Sequence, residues 1–150
     1  MTKVLYLDDL KVGQKFQSGE KRIDEQELRA FAKAFDPQPF HLDPEAARQS
    51  VFGRLAASGW HIGAMTMCLL VESDFRVAGG IVGTGFDEFR WLRPVYPDDT
   101  LHLDIEVVEV RSSQSKPKQG LAKVRVTTFN QAGHAVQVLV ANLVVPRRSS

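Results

Sequence analysis

The sequence predicts an α+β domain in which an antiparallel sheet curls around one buried helix. One apolar segment of helical length, residues 55–71, is followed by four segments rich in Val, Ile, Leu, Phe and Thr. No helical segment comes later in the chain to cover the other face of a sheet, and the strands do not alternate with helices as in a βαβ fold. No repeat, low-complexity tract or Gly/Ser linker divides residues 1–150, which we therefore take as one domain.

Composition narrows the possible partners. The 150 residues are 43% hydrophobic and 25% charged, as in ordinary soluble domains. A formal charge of +1 gives no broad field for nucleic acid or anionic lipid, so we expect neither as a partner. The apolar segment is shorter than the roughly 20 residues of a bilayer span, so no membrane association is expected. Cys68 is the only cysteine, which excludes an internal disulfide and fits a cytoplasmic location.

Local signals place the first helices. Asp24 is a good N-cap for a helix that runs to about residue 34. Asp36 before Pro37 ends this helix, because a residue that precedes proline is pushed out of the helical region. Pro39 is expected to keep the next residues extended. Asp43 then caps a short helix that runs to about residue 50.

The apolar segment predicts a long helix that begins near residues 57–59, with Ser58 as its N-cap, and that is buried nearly all round. Within it, His61 is expected to be a packed helix histidine and Cys68 a small core hydrophobe. The predicted strands are residues 14–22, 81–92, 100–111, 121–129 and 134–145. The alternation of apolar residues slips at Val107 and Val108, which predicts a β-bulge.

Three residues combine into a candidate catalytic site. Asp36 and His41 lie five positions apart on a proline-stiffened segment between two predicted helices, and such a segment can aim both side chains at one point. A carboxylate and an imidazole that converge on one water form a general acid/base pair. Gly59, near the start of the long helix, offers a free N–H and the positive end of the helix dipole to a developing oxyanion.

Residues 35–41 read Phe-Asp-Pro-Gln-Pro-Phe-His, and Ala47 follows after five further residues. This segment resembles the signature of the MaoC-like (R)-specific enoyl-CoA hydratases of the hotdog fold: an aromatic residue, Gly-Asp-x-Asn-Pro-Leu-His, five residues and a small residue. Phe35 stands in place of the glycine before Asp36, and Gln38 in place of the asparagine.

The resemblance extends over residues 8–146, with further departures. The family's His-Gly-Met at the helix start is Ser-Gly-Trp at residues 58–60, and Met67 replaces a helix serine found in many members. Residues 89–101 resemble the family's strand and following Pro-Gly-Asp turn, with Asp98 at the position where glycine is usual.

The resemblance implies reversible syn addition of water to a trans-2-enoyl thioester, which gives an (R)-3-hydroxyacyl thioester. Asp36 and His41 would activate the water and return a proton to the α-carbon, with the choice of base between them left open. The Gly59 N–H would bind the thioester carbonyl. CoA or phosphopantetheine would carry the acyl group, and no metal or redox cofactor is expected. The resemblance also implies a homodimer or a trimer of dimers with the acyl tunnel at the subunit interface. Candidates for the pocket lining are Phe40, Ser58 and Trp60.

Other interpretations remain open at this stage. Taken alone, Asp36 fits an Asx turn and His41 fits a loop histidine bonded to a backbone carbonyl. A hotdog acyl-CoA thioesterase usually needs a carboxylate near the central helix, and residues 56–71 contain none. A non-catalytic acyl-thioester binder is the third hypothesis, motivated by the altered residues Phe35, Gln38, Ser58 and Met67. A bulky Phe35 beside Asp36 would narrow the pocket or twist the loop.

Overall fold

The computed structural model describes residues 3–149. One antiparallel sheet of five strands has the order β1-β3-β4-β5-β2. The strands are β1 (Lys15–Arg22), β2 (Val82–Trp91), β3 (Thr100–Ser112), β4 (Gln119–Phe129) and β5 (Ala135–Pro146). The helices are α1 (Glu25–Phe35), α2 (Pro39–Leu42), α3 (Pro44–Arg48) and α4 (Gly59–Val71), preceded by a 3-10 helix at Leu7–Asp9. The predicted α+β hotdog architecture is confirmed, because the sheet packs against α4 through β1 and β3.

The core lies between α4 and the sheet. On β3, residues 101, 103, 105 and 107 are at most 1% exposed, and they belong to the same hydrophobic core as Ile62 and Leu69 of α4. Burying each such aliphatic side chain contributes about 1.5–3 kcal/mol. The pairing of β3 with β4 shifts register between Val107 and Glu109, which confirms the predicted bulge.

The prediction that α4 is buried nearly all round is wrong. Trp60, Met67 and Val71 are exposed, and so is Cys68, which therefore is not a core residue. The physical reason is that α4 rests on a single sheet, which covers only one stripe of the helix. None of the helices within residues 3–149 combines the length and the apolar character that a bilayer crossing requires.

The expectation that Pro39 keeps the chain extended is also wrong. Pro39 is the first residue of α2, with Gln38 as the extended residue before it. Proline is tolerated there because the first helical N–H has no intrahelical acceptor to lose. The short helix that results matters for the site, since it carries His41.

Candidate active site

Asp36 and His41 meet at the junction of α1 and α2. The Asp36 Oδ2 atom lies 3.3 Å from His41 Nε2. Asp36 is the C-cap of α1, with φ −152°, as expected for a residue before proline. His41 is only 4% exposed, while the Asp36 side chain is 17% exposed. The carboxylate and the imidazole are therefore largely shielded from water, and the carboxylate keeps some access to it.

The backbone fixes which nitrogen of His41 faces the carboxylate. His41 Nδ1 is 2.6 Å from the Ala56 carbonyl oxygen. A carbonyl oxygen only accepts hydrogen bonds, so Nδ1 carries a proton and donates it to Ala56. The edge of the ring packs against Phe40, with the ring centroids 4.6 Å apart. Nε2 is consequently the nitrogen that faces the Asp36 carboxylate.

Two side chains hold the Asp36 carboxylate from either side. Ser58 Oγ donates to Oδ2 at 2.7 Å, and Gln38 Nε2 donates to Oδ1 at 2.5 Å. Burial acts to raise the pKa of Asp36, but these two hydrogen bonds and the nearby His41 outweigh it and hold the pKa below its ordinary value. Asp36 is therefore ionised at neutral pH. Gln38, which stands where the family signature has asparagine, still donates a hydrogen bond to this carboxylate.

Ser58 connects the carboxylate to the start of α4. It is fully buried, and its hydroxyl accepts the Trp60 N–H at 3.2 Å while donating to Asp36. The predicted N-cap is confirmed. One hydroxyl thus fixes the catalytic candidate Asp36 relative to the helix end that carries Gly59.

Gly59 is the first residue of α4. Within residues 3–149 its N–H donates to no backbone acceptor, as is general for the first turn of a helix. A Cβ at this position would overlap the Trp91 indole ring. Glycine is therefore required for the close approach of Trp91, in addition to any approach by a ligand.

His41 and Gly59 share a pocket of about 370 Å³. Most of its wall is apolar, formed by Phe40, Phe52, Ile62, Trp91, Val95 and Val136, and its polar members include Gln38, His41 and Arg93. A pocket of this kind, apolar with a few convergent polar groups, is typical of small-molecule sites. His41 and the first residue of α4 thus face one cavity, while Asp36 lies beside His41 and is not itself among the residues that line it.

A family model described as MaoC like domain matches residues 9–130. The chain belongs to the MaoC-like domain family. The chain is also 34% identical to the uncharacterized protein YdeM of Bacillus subtilis over 125 residues. These aligned residues make up 83% of this chain and 87% of YdeM. A mesaconyl-CoA hydratase of Cereibacter sphaeroides is 34% identical over 70 residues, which are 47% of this chain and only 20% of the hydratase.

Solved structures agree with the family assignment. A MaoC-like dehydratase from Rhodospirillum rubrum is 47% identical with a TM-score of 0.94, over 97% of this chain and 99% of that one. The (R)-hydratase PhaJ1 from Pseudomonas aeruginosa is 29% identical with a TM-score of 0.73, over 95% and 86% of the two chains. The (R)-hydratase from A. caviae is 27% identical with a TM-score of 0.71, over 91% and 98%. The resemblance drawn from residues 35–41 is therefore confirmed at the level of the family and its fold.

Not every expected side chain of this MaoC-like domain lies at the pocket. Phe40 lines it, and Ser58 lies buried behind Asp36. Trp60 is absent from its wall; it is 60% exposed and lines a separate apolar groove. Phe35 is 73% exposed and packs against Phe31 of α1, so it does not narrow the pocket.

His61 is a packed helix histidine, as predicted. It is 6% exposed and stacks on Phe31 with a centroid distance of 4.8 Å. Burial lowers the pKa of His61, and the charge of Glu27 opposes this only in part. Its Nδ1 has no hydrogen-bond partner among the described residues. The ring is therefore neutral at pH 7 and is absent from the lining of the candidate pocket.

Sequence reasoning missed a buried polar chain behind the pocket. Trp91 Nε1 donates to Gln137 Oε1 at 3.0 Å, and Gln137 Nε2 donates to Thr66 Oγ1 at 2.9 Å. Thr66 in turn bonds Thr128 at 2.7 Å. The available signal was Gln137 itself, an amide between two valines in an otherwise apolar stretch of β5.

Proposed function

We propose that this protein is a hydratase or dehydratase that adds water reversibly to a trans-2-enoyl thioester and forms an (R)-3-hydroxyacyl thioester. One observation carries the proposal: His41, whose Nε2 lies 3.3 Å from the Asp36 carboxylate, and Gly59 line the same small, mostly apolar pocket. Acid/base groups and an oxyanion donor are the two elements that addition of water to a conjugated thioester requires. The likeness to the two (R)-hydratases supports the same reaction class.

We assign Asp36 as the base and His41 as the acid in the hydration direction. Ser58 and Gln38 donate to Asp36 and keep it ionised, and the scheme starts with His41 protonated on both ring nitrogens, with Nδ1 toward Ala56 and Nε2 toward Asp36. In the forward step a water gives one proton to Asp36 while its oxygen bonds to C3 of the enoyl group. The displaced π electrons form an enolate, which takes a proton at C2 from His41 Nε2. Transfer of the proton from Asp36 to His41 over their 3.3 Å separation restores the resting pair.

The enolate oxygen of this scheme lies at the start of α4. The Gly59 N–H and the positive end of the helix dipole stabilise it as charge develops. Removing one such donor typically costs about 3 to 4 kcal/mol of transition-state stabilisation. CoA or a carrier-bound phosphopantetheine holds the acyl group in the proposal, and no metal or redox cofactor takes part.

We also propose that two copies assemble through β2, as a dimer or a trimer of dimers. Within the described sheet β2 is an edge strand that pairs only with β5. Val82 and Phe86 on this strand and Met67 on α4 are exposed apolar side chains next to the free edge. Such edges and patches are generally covered by pairing. The lone Cys68 supports a cytoplasmic location for the assembly.

The experiment follows enoyl absorbance and free thiol together with crotonyl-CoA as substrate. We expect absorbance to fall without thiol release, and Asp36→Asn to lower the rate by about 10²-fold or more. Asp43→Asn is the matched control, because the Asp43 side chain caps α3 by accepting the Glu45 N–H. We expect this variant to keep the wild-type rate. Thiol release would instead indicate a thioesterase. Saturable binding without either signal would indicate a non-catalytic acyl-thioester binder.

A further inference from the structure

Trp91 forms the wall of the active-site pocket next to Gly59. Its indole ring lies so close to the Gly59 backbone that a Cβ there would overlap it. Trp91 lines the same pocket as His41. In the proposed reaction the thioester carbonyl and the two reacting carbons occupy the space between Gly59 and His41. Carbons beyond C3 therefore have to fit into the remainder of a pocket that Trp91 bounds.

An aromatic cluster, which we define as Trp60, Phe89 and Trp91, separates this pocket from a second cavity. Trp91 packs edge-on against both partners, with ring centroids 5.3 Å from each. On the far side lies an apolar groove of about 410 Å³ along α4 and β2, lined by Trp60 and Phe89 among others. The pocket and the groove share no lining residue. Trp91 is the member of the cluster that faces the pocket.

Gln137 holds the indole in this place. Trp91 is 45% exposed in the single chain, so packing alone leaves room for the ring to turn outward. Its Nε1 donates to Gln137 Oε1 at 3.0 Å. The Gln137 amide cannot flip without loss, because its Nε2 donates to the buried Thr66 hydroxyl. Gln137 and Thr128, the last member of the chain, are fully buried, and such satisfied buried networks rigidify what they hold.

We propose that Trp91 determines acyl specificity by confining the substrate to a short chain, and that Gln137 is the residue that positions Trp91. This inference rests on the proposed function and names its substrate class as short-chain trans-2-enoyl thioesters. A longer unbranched chain meets the indole where the pocket would otherwise continue toward the groove. When an apolar pocket lacks the volume for part of a substrate, kcat/KM for that substrate typically falls by about 10- to 200-fold.

The test compares kcat/KM for crotonyl-CoA and trans-2-octenoyl-CoA. For the wild type we expect octenoyl-CoA to be at least about tenfold worse, and for Trp91→Ala we expect the octenoyl-to-crotonyl ratio to rise by about tenfold or more. Trp60→Ala is the matched control, because it removes an indole from the same cluster that does not line the pocket. Its ratio stays at the wild-type value.

Two buried variants separate positioning from core stability. Gln137→Leu frees the indole and moves the ratio in the same direction as Trp91→Ala. Thr128→Val removes one hydrogen bond of the chain but leaves the bond between Gln137 and Trp91, so it lowers Tm without moving the ratio. If Trp91→Ala fails to fold, Trp91→Phe takes its place, and its octenoyl-to-crotonyl ratio is compared with that of the wild type. A ratio that rises supports the role of Trp91, and an unchanged ratio overturns it.

The inference and the proposed function fail in different ways. A wild type that hydrates no enoyl thioester overturns the proposed function. A wild type that hydrates octenoyl-CoA as well as crotonyl-CoA leaves the hydratase intact and overturns the role of Trp91. A ratio that moves equally in the Trp60 and Trp91 variants, or in the Thr128 and Gln137 variants, also overturns it.

Discussion

Ser58→Ala tests the link between the Asp36 carboxylate, the proposed base, and the helix α4. The substitution removes two interactions of one fully buried hydroxyl: the donation to Asp36 at 2.7 Å and the capping of the Trp60 N–H at 3.2 Å. Loss of an N-cap costs about 1 kcal/mol, and loss of a hydrogen bond to a charged group costs about 1.5–3 kcal/mol. We expect a loss of about 3 kcal/mol at pH 7, which lowers Tm by roughly 6–12 °C in a domain of this size.

The two interactions differ in how they depend on pH. The folded-state pKa of Asp36 lies below its ordinary value, so its contribution to stability is present above the unfolded pKa near 4 and is lost as pH falls through the folded pKa. The N-cap has no such dependence. The destabilisation by Ser58→Ala should therefore shrink toward about 1 kcal/mol in acid, where only the cap is lost.

Urea unfolding at neutral and acidic pH measures both values. Ser73→Ala is the matched control: Ser73 is also buried, donates to the Leu70 carbonyl at 2.6 Å and accepts the Phe75 N–H at 3.1 Å, with no carboxylate involved. Its loss of stability should be the same at each pH. A destabilisation by Ser58→Ala that is equally independent of pH would refute the idea that Ser58 stabilises the ionised Asp36.

Two further predictions concern the pocket and the assembly. Gly59→Ala lowers both kcat and Tm, because the added Cβ overlaps the Trp91 ring. In a double-mutant cycle with Trp91→Ala, measured by thermal unfolding, the losses of stability at the two positions should be coupled. Additive losses would contradict this contact. Phe86→Lys places a charge on the exposed edge strand and should convert the assembly into monomers in light scattering. Val51→Lys, at a position that is 93% exposed outside this face, should leave the assembly intact, and dissociation by both variants would argue against β2 as the interface.

Local signals in the sequence were sufficient for most of the fold. The five predicted strand ranges lie within two residues of those observed. Asp24 caps α1 through the Glu27 N–H as predicted, since caps and alternation depend only on near neighbours. Asp98 stands in place of the family's turn glycine and keeps a left-handed φ of 74°. The backbone of that turn is thus retained although the residue that favours it is gone.

The failures come from contacts that no local pattern records. The bond between Ser58 and Asp36 spans 22 positions, and the bond between Trp91 and Gln137 spans 46. Their existence depends on how α4 packs against the sheet and the preceding helices. Cys68 was placed in the core because its neighbours are apolar, whereas its exposure depends on which side of α4 the sheet covers. The Asp36–His41 pair was predictable because five positions on a proline-rich segment already bring the two side chains together.

The central claim is that Asp36 and His41 act as one acid/base pair on one face of an enoyl thioester. The most direct measurement is hydration of crotonyl-CoA in deuterated water, followed by determination of the configuration at C2 and C3 of the product. We predict a single diastereomer, with deuterium at C2 and the hydroxyl at C3 added to the same face and with (R) configuration at C3. A mixture at C2, anti addition or an (S) alcohol would contradict delivery of both groups by this pair.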